Sequence, residues 1–320
     1  MVVDLPKLLK SKTPKIYKNK KLNNANFGNF NLNDYQVFLH LITKIGGVDE
    51  YGKYMQQENL NREYVLTAKE FSEVFNADLS NSYKLLYKAC KKLMKTSITL
   101  EKIELKEIWE INICSMAKYN KNNGSIFIKF TDDIMPYLAQ VRKRFVLYNI
   151  KEISNFGSLY TTRLYELIQE FKETGWLIKS VDELRNIFAV GKKFRTYNNF
   201  KQRTFAHACK EINDNYEYMN LSFEELKEKR KVTDIKFTFR PIEVNEVINH
   251  KTGQKSKVYT KPKPQQSSKN KKKKEPGLSK LSDVLDNQLS FLDIKQKHQS
   301  KISAFISKIK SVTKITKNKS

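Results

Sequence analysis

Residues 87–93 read YKACKKL, and residues 206–212 read AHACKEI. Aligned on the shared Ala-Cys-Lys, both put apolar side chains at helical spacing: Leu86, Ala89, Cys90 and Leu93 in the first, Phe205, Ala208, Cys209 and Ile212 in the second. The i, i+3, i+4, i+7 pattern predicts a one-sided helix over about 80–95 and another over about 199–213. The outward positions share the same register, with Lys84, Lys88, Lys91 and Lys95 on one helix and Arg203, His207 and Lys210 on the other. Neither segment carries an acid, from Leu79 to Leu100 or from Lys192 to Lys210. A single lysine-rich face is normally just solvated surface. Two such faces in one register point to a shared anionic partner.

Working outward, each helix follows a shorter one with the same start signal. In LTAKEFSEVF, Thr67 and Glu70 form an S/T-x-x-E capping box ahead of Phe71 and Phe75; in SVDELRNIF, Ser180 and Glu183 do so ahead of Leu184 and Phe188. The turn between short and long helix is NADL in the first copy and AVGKKFRTYN in the second, which brings Lys192, Lys193 and Arg195 to the front of the long helix. Strand-like alternation follows: IWEINICSM and SIFIKF around Asn122-Asn123-Gly124, then NYEYMNLSFEEL and VTDIKFTFR around KEKR. Helix, turn, basic helix and hairpin is the order of a winged helix-turn-helix. A helix from Asp34, with Phe38, Leu41, Ile42 and Ile45 on one stripe, leads the first copy. One with Tyr160, Leu164, Ile168 and Phe171 leads the second.

The fold expected is α+β: a flexible basic arm over 1–30, winged-helix domains over 31–153 and 154–250, and a disordered Lys-rich linker and tail over 251–320. Charge supports the division. The chain of 320 residues has a net charge of +26; residues 251–320 hold 19 basic and 4 acidic side chains, and residues 1–30 hold 7 and 1. The central region is nearly balanced, so its cations must be gathered into patches to grip a polyanion. A helix fits the major groove, where Arg203, Gln202 and His207 are assigned to base edges. Lys192, Lys193, Lys201 and Lys210 are assigned mostly to phosphates, and Arg195 to the DNA-binding set as a whole. The first copy has no Arg or Gln among Lys84, Lys88, Lys91 and Lys95, which suits a backbone grip.

Other chemistries are poorly served. Gly47 to Lys53 matches G-x-x-x-x-G-K, yet it follows a helix, places Asp49 and Glu50 where phosphates would lie, and has Tyr54 in place of Ser or Thr. His40, His207, His250 and His298 are scattered, and Cys90, Cys114 and Cys209 form no CxxC pair, so no metal, cofactor or catalytic centre is expected. MVVDLPKLLK lacks a signal-peptide core, and no run reaches the ~20 apolar residues of a membrane span. The reading is a soluble cytoplasmic protein. In the tail, LSDVLDNQLSFLDI and ISAFISKIK could dock a partner, and the stretch from Gln288 to Leu292 faintly resembles sliding-clamp-binding peptides.

FVLYNIKEISNFGSLYTTRLYELIQEF, with its run of Ser158, Tyr160, Arg163, Leu164, Tyr165, Glu166 and Leu167, resembles the initiator replication proteins of iteron-type, theta-replicating bacterial plasmids. LTAKEFSEVF and FKQRTFAHACKEIN are similar to that family's short helix and second recognition helix. The resemblance covers about 30–240 and implies binding of direct repeats at a plasmid origin as a monomer, duplex opening, and recruitment of the host initiator and replicative helicase. It also implies repression of the chain's own gene as a homodimer associating through the first domain. A tandem winged-helix transcription regulator with no replication role is the alternative.

Overall fold

A computed structural model of the chain describes residues 14–45, 61–102, 106–138, 145–241, 243–248 and 255–260. The chain divides into two compact units, Met1–Pro264 and Gln265–Ser320, and the described residues all lie in the first. Residues 47–53, which carry the G-x-x-x-x-G-K match, and 288–292, the clamp-like peptide, lie outside them.

Strand β1 (Lys15–Asn19) opens the described region, followed by helix α1 (Leu32–Ile45). Strand β2 (Glu63–Thr67) runs directly into α2 (Ala68–Phe75), and α3 (Leu79–Met94) follows after a tight turn. Next come β3 (Ser97–Lys102), β4 (Glu107–Asn112), β5 (Cys114–Asn120) and β6 (Ser125–Phe130), the short α4 (Met135–Leu138) and β7 (Phe145–Asn149). The second copy consists of α5 (Leu159–Glu170), β8 (Trp176–Ser180), α6 (Val181–Ile187), α7 (Tyr197–Arg203), α8 (Phe205–Asn215), β9 (Ser222–Glu228) and β10 (Lys231–Thr238). A further hairpin, β11 (Glu243–Ile248) with β12 (Lys255–Thr260), follows.

The two copies have matching antiparallel sheets, ordered β2-β6-β5 and β8-β10-β9. In each, the strand before the helix-turn-helix pairs with the second strand of the wing hairpin. That leading strand went unread in the sequence. It ends on the capping residue itself: Thr67 and Ser180 close β2 and β8 and then accept from the amides of Glu70 (3.2 Å) and Glu183 (3.1 Å). Both boxes are complete, since the Glu70 and Glu183 carboxylates accept in return from the Thr67 and Ser180 amides. Such caps satisfy donors that a helix start leaves orphaned.

Several expectations are corrected. IWEINICSM is not one strand: it breaks at Ile113, β4 pairing with β3 and β5 with β6. The β3-β4 hairpin has no counterpart among the described residues of the second copy. The long helix expected over 199–213 is two helices, broken at Thr204 (φ −122°, ψ −100°), whose Oγ1 donates to the Phe200 carbonyl at 2.6 Å. A β-branched hydroxyl bonding back to the preceding turn competes with the helical ladder. The linker expected from 251 includes a strand, because Lys255–Thr260 pairs residue for residue with Ile248–Glu243.

The largest correction concerns the arm. Residues 14–30 are not flexible: β1 pairs with β7, Asn26 bridges Thr99, and Ile16, Leu22, Ala25, Phe27 and Phe30 are buried. The anchor is α5, which was expected to bury one stripe and in fact has every residue from Thr161 to Gln169 buried. Two of these are charged, Arg163 and Glu166. The Glu166 carboxylate receives Lys18 Nζ at 2.6 Å, Arg163 Nη1 at 2.9 Å, and the hydroxyls of Tyr35 and Tyr148, each at 2.6 Å. Arg163 Nη2 donates to the carbonyls of Leu22, Asn23 and Ala25. Buried ions are tolerable only when paired and hydrogen-bonded in this way. Burial alone would raise the Glu166 carboxyl, but the Lys18 and Arg163 cations outweigh it and hold it below the usual carboxylate range. Burial, with the second cation beside it, brings Lys18 down to about 8 despite Glu166. Residues 15–30 thus strap the first copy to the leading helix of the second, and Asn26 Nδ2 reaches Asn186 of α6 at 2.9 Å.

Candidate nucleic-acid interface

In the second copy the apolar stripe of α7 and α8 sets which side chains face outward. Phe200, Phe205, Ala208, Cys209 and Ile212 are all buried. Burying a large side chain of this kind contributes about 1.5–3 kcal/mol, so a rotated helix would forfeit several such terms. The opposite face exposes Gln202, Arg203, His207 and Lys210, and the preceding turn exposes Lys192, Lys193 and Arg195. Lys201 stands apart. It is half-buried, its Nζ lies 2.7 Å from Glu225 on β9, and Tyr197 donates to the same carboxylate at 2.9 Å. The hydrogen bond from Lys201 leads in holding Glu225 below the usual carboxylate range. Lys201 therefore braces the wing against the helix. His207 Nδ1 lies 3.8 Å from Glu211, which also accepts from the Gly157 amide and the Thr161 hydroxyl, pinning α8 to the start of α5.

The wing adds cations that the sequence reading passed over. Lys227, Lys229, Arg230 and Lys231 are all exposed at the β9-β10 turn, where Lys229 takes a left-handed conformation (φ +56°). The signal was in KEKRK, where one acid among four cations reads as an ordinary solvated turn.

In the first copy Leu86, Ala89, Cys90 and Leu93 are buried, while Lys84, Lys88, Lys91 and Lys95 are exposed. Lys92, between them, turns inward to Asp34 at 2.7 Å and ties α3 to α1. Aromatic side chains fill the space between α3 and the wing. Tyr87 lies 5.1 Å from Tyr119, Lys91 sits 4.4 Å from the Tyr87 ring centre, and Tyr119 donates to the Tyr83 carbonyl. Gly124, at the wing turn with φ +59°, is obligatory twice over, because a Cβ there would overlap the Tyr83 ring. A shallow cleft lined by Tyr87, Cys90, Met94, Ala117 and Tyr119 results. The exposure of Tyr87 and Met94 there was not legible in a pattern that records only apolar spacing.

The cysteines are structural. All three are free and buried; burial pushes the Cys209 and Cys114 thiols up to about 12, and Cys90 in the same direction. No group of three or more His, Cys, Asp or Glu side chains that could hold a metal occurs among the described residues. Nor is any described helix long and apolar enough to cross a membrane.

Two family models match the chain, "Initiator Replication protein, WH1" over residues 15–169 and "Initiator Rep protein, WH2" over residues 180–239. The chain belongs to the initiator replication protein family. The first match begins at β1 and ends within α5, so it takes in the strap and its anchor. Among relatives of this chain are a replication initiation protein of Escherichia coli, 24% identical over 152 residues (46% of this chain, 47% of the relative), and the PI protein of Escherichia coli, 27% identical over 147 residues (41% and 48%). The chain spans about half the length of these curated relatives. Among solved structures, the Pi initiator protein in complex with iteron DNA has the same fold, with a TM-score of 0.58 and 21% identity, over 72% of this chain and 98% of that one.

Proposed function

We propose that this initiator binds direct repeats at a plasmid origin as double-stranded DNA, the α7-α8 face reading bases in one major groove and α3 gripping a second. The observation that carries this reading is the shared register of the two copies: the same four helix positions are buried in each, which leaves acid-free basic faces at matching positions. Arg203, Gln202 and His207 are assigned to base edges, and Lys192, Lys193, Arg195 and Lys210 to phosphates, joined by the wing cations. Lys84, Lys88, Lys91 and Lys95 hold the backbone from the first copy. Lys201 is reassigned from phosphate contact to bracing. The relatives are replication initiators by name, and one solved neighbour is bound to iteron DNA; both support the assignment.

On this reading the protein acts by binding energy, without catalysis, in the cytoplasm. Opening of the duplex, recruitment of the host initiator and helicase, docking on a sliding clamp through Gln288 to Leu292, and repression of its own gene as a homodimer complete the proposal. The test is fluorescence anisotropy of the full chain on DNA flanking its gene, against scrambled DNA, across a salt series. A preference of ~10³ or more for flanking repeats is expected. Equal binding to both DNAs would refute sequence-specific recognition.

A further inference from the structure

The turn that precedes the long helix is three residues in the first copy, 76–78, between α2 and α3, and nine in the second, 188–196, between α6 and α7. A long exposed turn bearing Lys192, Lys193 and Arg195 would ordinarily be mobile, and mobile cations lose entropy when they bind. This turn is built otherwise. Its backbone enters the left-handed region three times, at Ala189 (φ +50°), Gly191 (φ +53°) and Phe194 (φ +54°). Strain of that kind persists only where the surroundings over-determine the conformation.

The surroundings centre on Arg185 of α6. Its Nη2 donates to the carbonyls of Phe194 (2.9 Å) and Arg195 (3.5 Å), and its guanidinium lies 4.4 Å from the ring centre of buried Phe200, on α7. The Arg185 carbonyl accepts from the Val190 amide at 3.2 Å, and the Val190 carbonyl accepts from the Lys193 amide at 2.9 Å. Phe194 packs edge-on to Tyr160 of α5, with ring centres 6.2 Å apart. One guanidinium therefore joins the short helix, the far end of the turn and the reading helix. A planar guanidinium can donate to carbonyls in its plane while its face stacks on a ring.

We propose that Arg185 is a positioning residue for DNA recognition, which fixes the 188–196 turn as a rigid finger and lays Lys192, Lys193 and Arg195 along the phosphates beside the groove that α7 and α8 enter. Arg185 contacts no DNA itself. The inference rests on the DNA-binding reading above and adds that part of the affinity is stored in a preorganised turn.

The test is the Arg185→Lys variant, which keeps the charge and loses the fork, combined in a cycle with Lys192→Ala/Lys193→Ala/Arg195→Ala. In the full chain, Arg185→Lys should weaken binding to repeat DNA roughly tenfold and make the salt slope shallower by about 0.9 for each phosphate that is no longer neutralised. In the triple-variant background it should have no further effect, the non-additivity expected of coupled sites. An unchanged slope, or a weakening that persists in the triple background, would overturn the inference. Should Arg185→Lys fail to fold, Gly191→Ala serves instead: no atom lies within 4 Å of its added Cβ, so it strains only the backbone of the turn. The same shallower slope is expected from it. If the wild-type chain itself shows no preference for repeats, the DNA-binding reading fails; if it does and the variants match it, only the role of Arg185 falls.

Discussion

Substituting Glu166 by Gln should be far more damaging than substituting Lys18 by Met, although the two side chains form one ion pair. A single carboxylate, that of Glu166, serves Lys18, Arg163, Tyr35 and Tyr148, and all four of those side chains are buried. Glutamine fits the space but leaves two buried cations without the counter-charge they share. Removing one partner of a buried pair typically costs about 3–5 kcal/mol, a large part of the roughly 5–15 kcal/mol that holds a domain folded. At about 2–4 °C per kcal/mol for a protein of this size, the midpoint should fall by roughly 6–20 °C. Lys18→Met leaves Glu166 with Arg163 and removes one buried cation along with its desolvation cost, so about 1 kcal/mol or less is expected, in either direction. The assay is thermal and urea unfolding followed by circular dichroism. The exposed Lys129–Glu63 pair serves as a control, and breaking it should leave the transition in place. Equal losses for Glu166→Gln and Lys18→Met would refute the account of one carboxylate balancing two cations.

The same network gives a pH dependence. Between about 8 and the unfolded value of 10.5, Lys18 is neutral in the folded chain and protonated in the unfolded one, so stability should rise with pH from about 8. Burial raises Tyr35 and Tyr148 well above 10.0, so from there the unfolded chain sheds protons first and stability should fall again. Lys18→Met should flatten the rise in urea titrations. Arg203→Ala should cut the preference for target over scrambled DNA by about 1–3 kcal/mol, read by competition binding; weaker binding to both DNAs alike would make Arg203 a phosphate contact. Thr67→Ala and Ser180→Ala should each lower the unfolding free energy by about 1 kcal/mol, and no change would mean that the boxes are ornamental. Gly124→Ala should disorder the first wing, and Tyr83→Ala should partly restore it, as amide exchange across β5 and β6 would report.

Local rules made the basic helix faces and the capping boxes of the short helices before them legible. The stripe Leu86-Ala89-Cys90-Leu93 and its copy are set by neighbours within two turns, and both capping boxes by residues three apart. What the sequence concealed depends on distant partners. Lys18 reads as one more cation in a basic arm until Glu166 is placed beside it, and β1 has no pattern of its own apart from β7. Lys201 looked free because its partner, Glu225, lies on the wing. Thr204 breaks a helix without interrupting its apolar stripe, so periodicity ran straight through it. The wing cations, Tyr83 and Tyr87 are exposed, and Tyr119 half-buried against Tyr87, by tertiary geometry, which no spacing rule encodes.

The strap also orders events in time. Lys18, Asn23 and the carbonyls of Leu22 and Ala25 are synthesised some 140 residues before their partners Arg163 and Glu166. At about 5–20 residues per second, the nascent first copy waits on the order of ten to thirty seconds before its opening strand can be locked. A gene fragment that stops before α5 would yield a chain with a buried lysine site and no carboxylate to fill it. The smallest part containing the first copy that can be expected to fold by itself therefore ends after Glu170, inside what the linear pattern of the sequence assigns to the second domain.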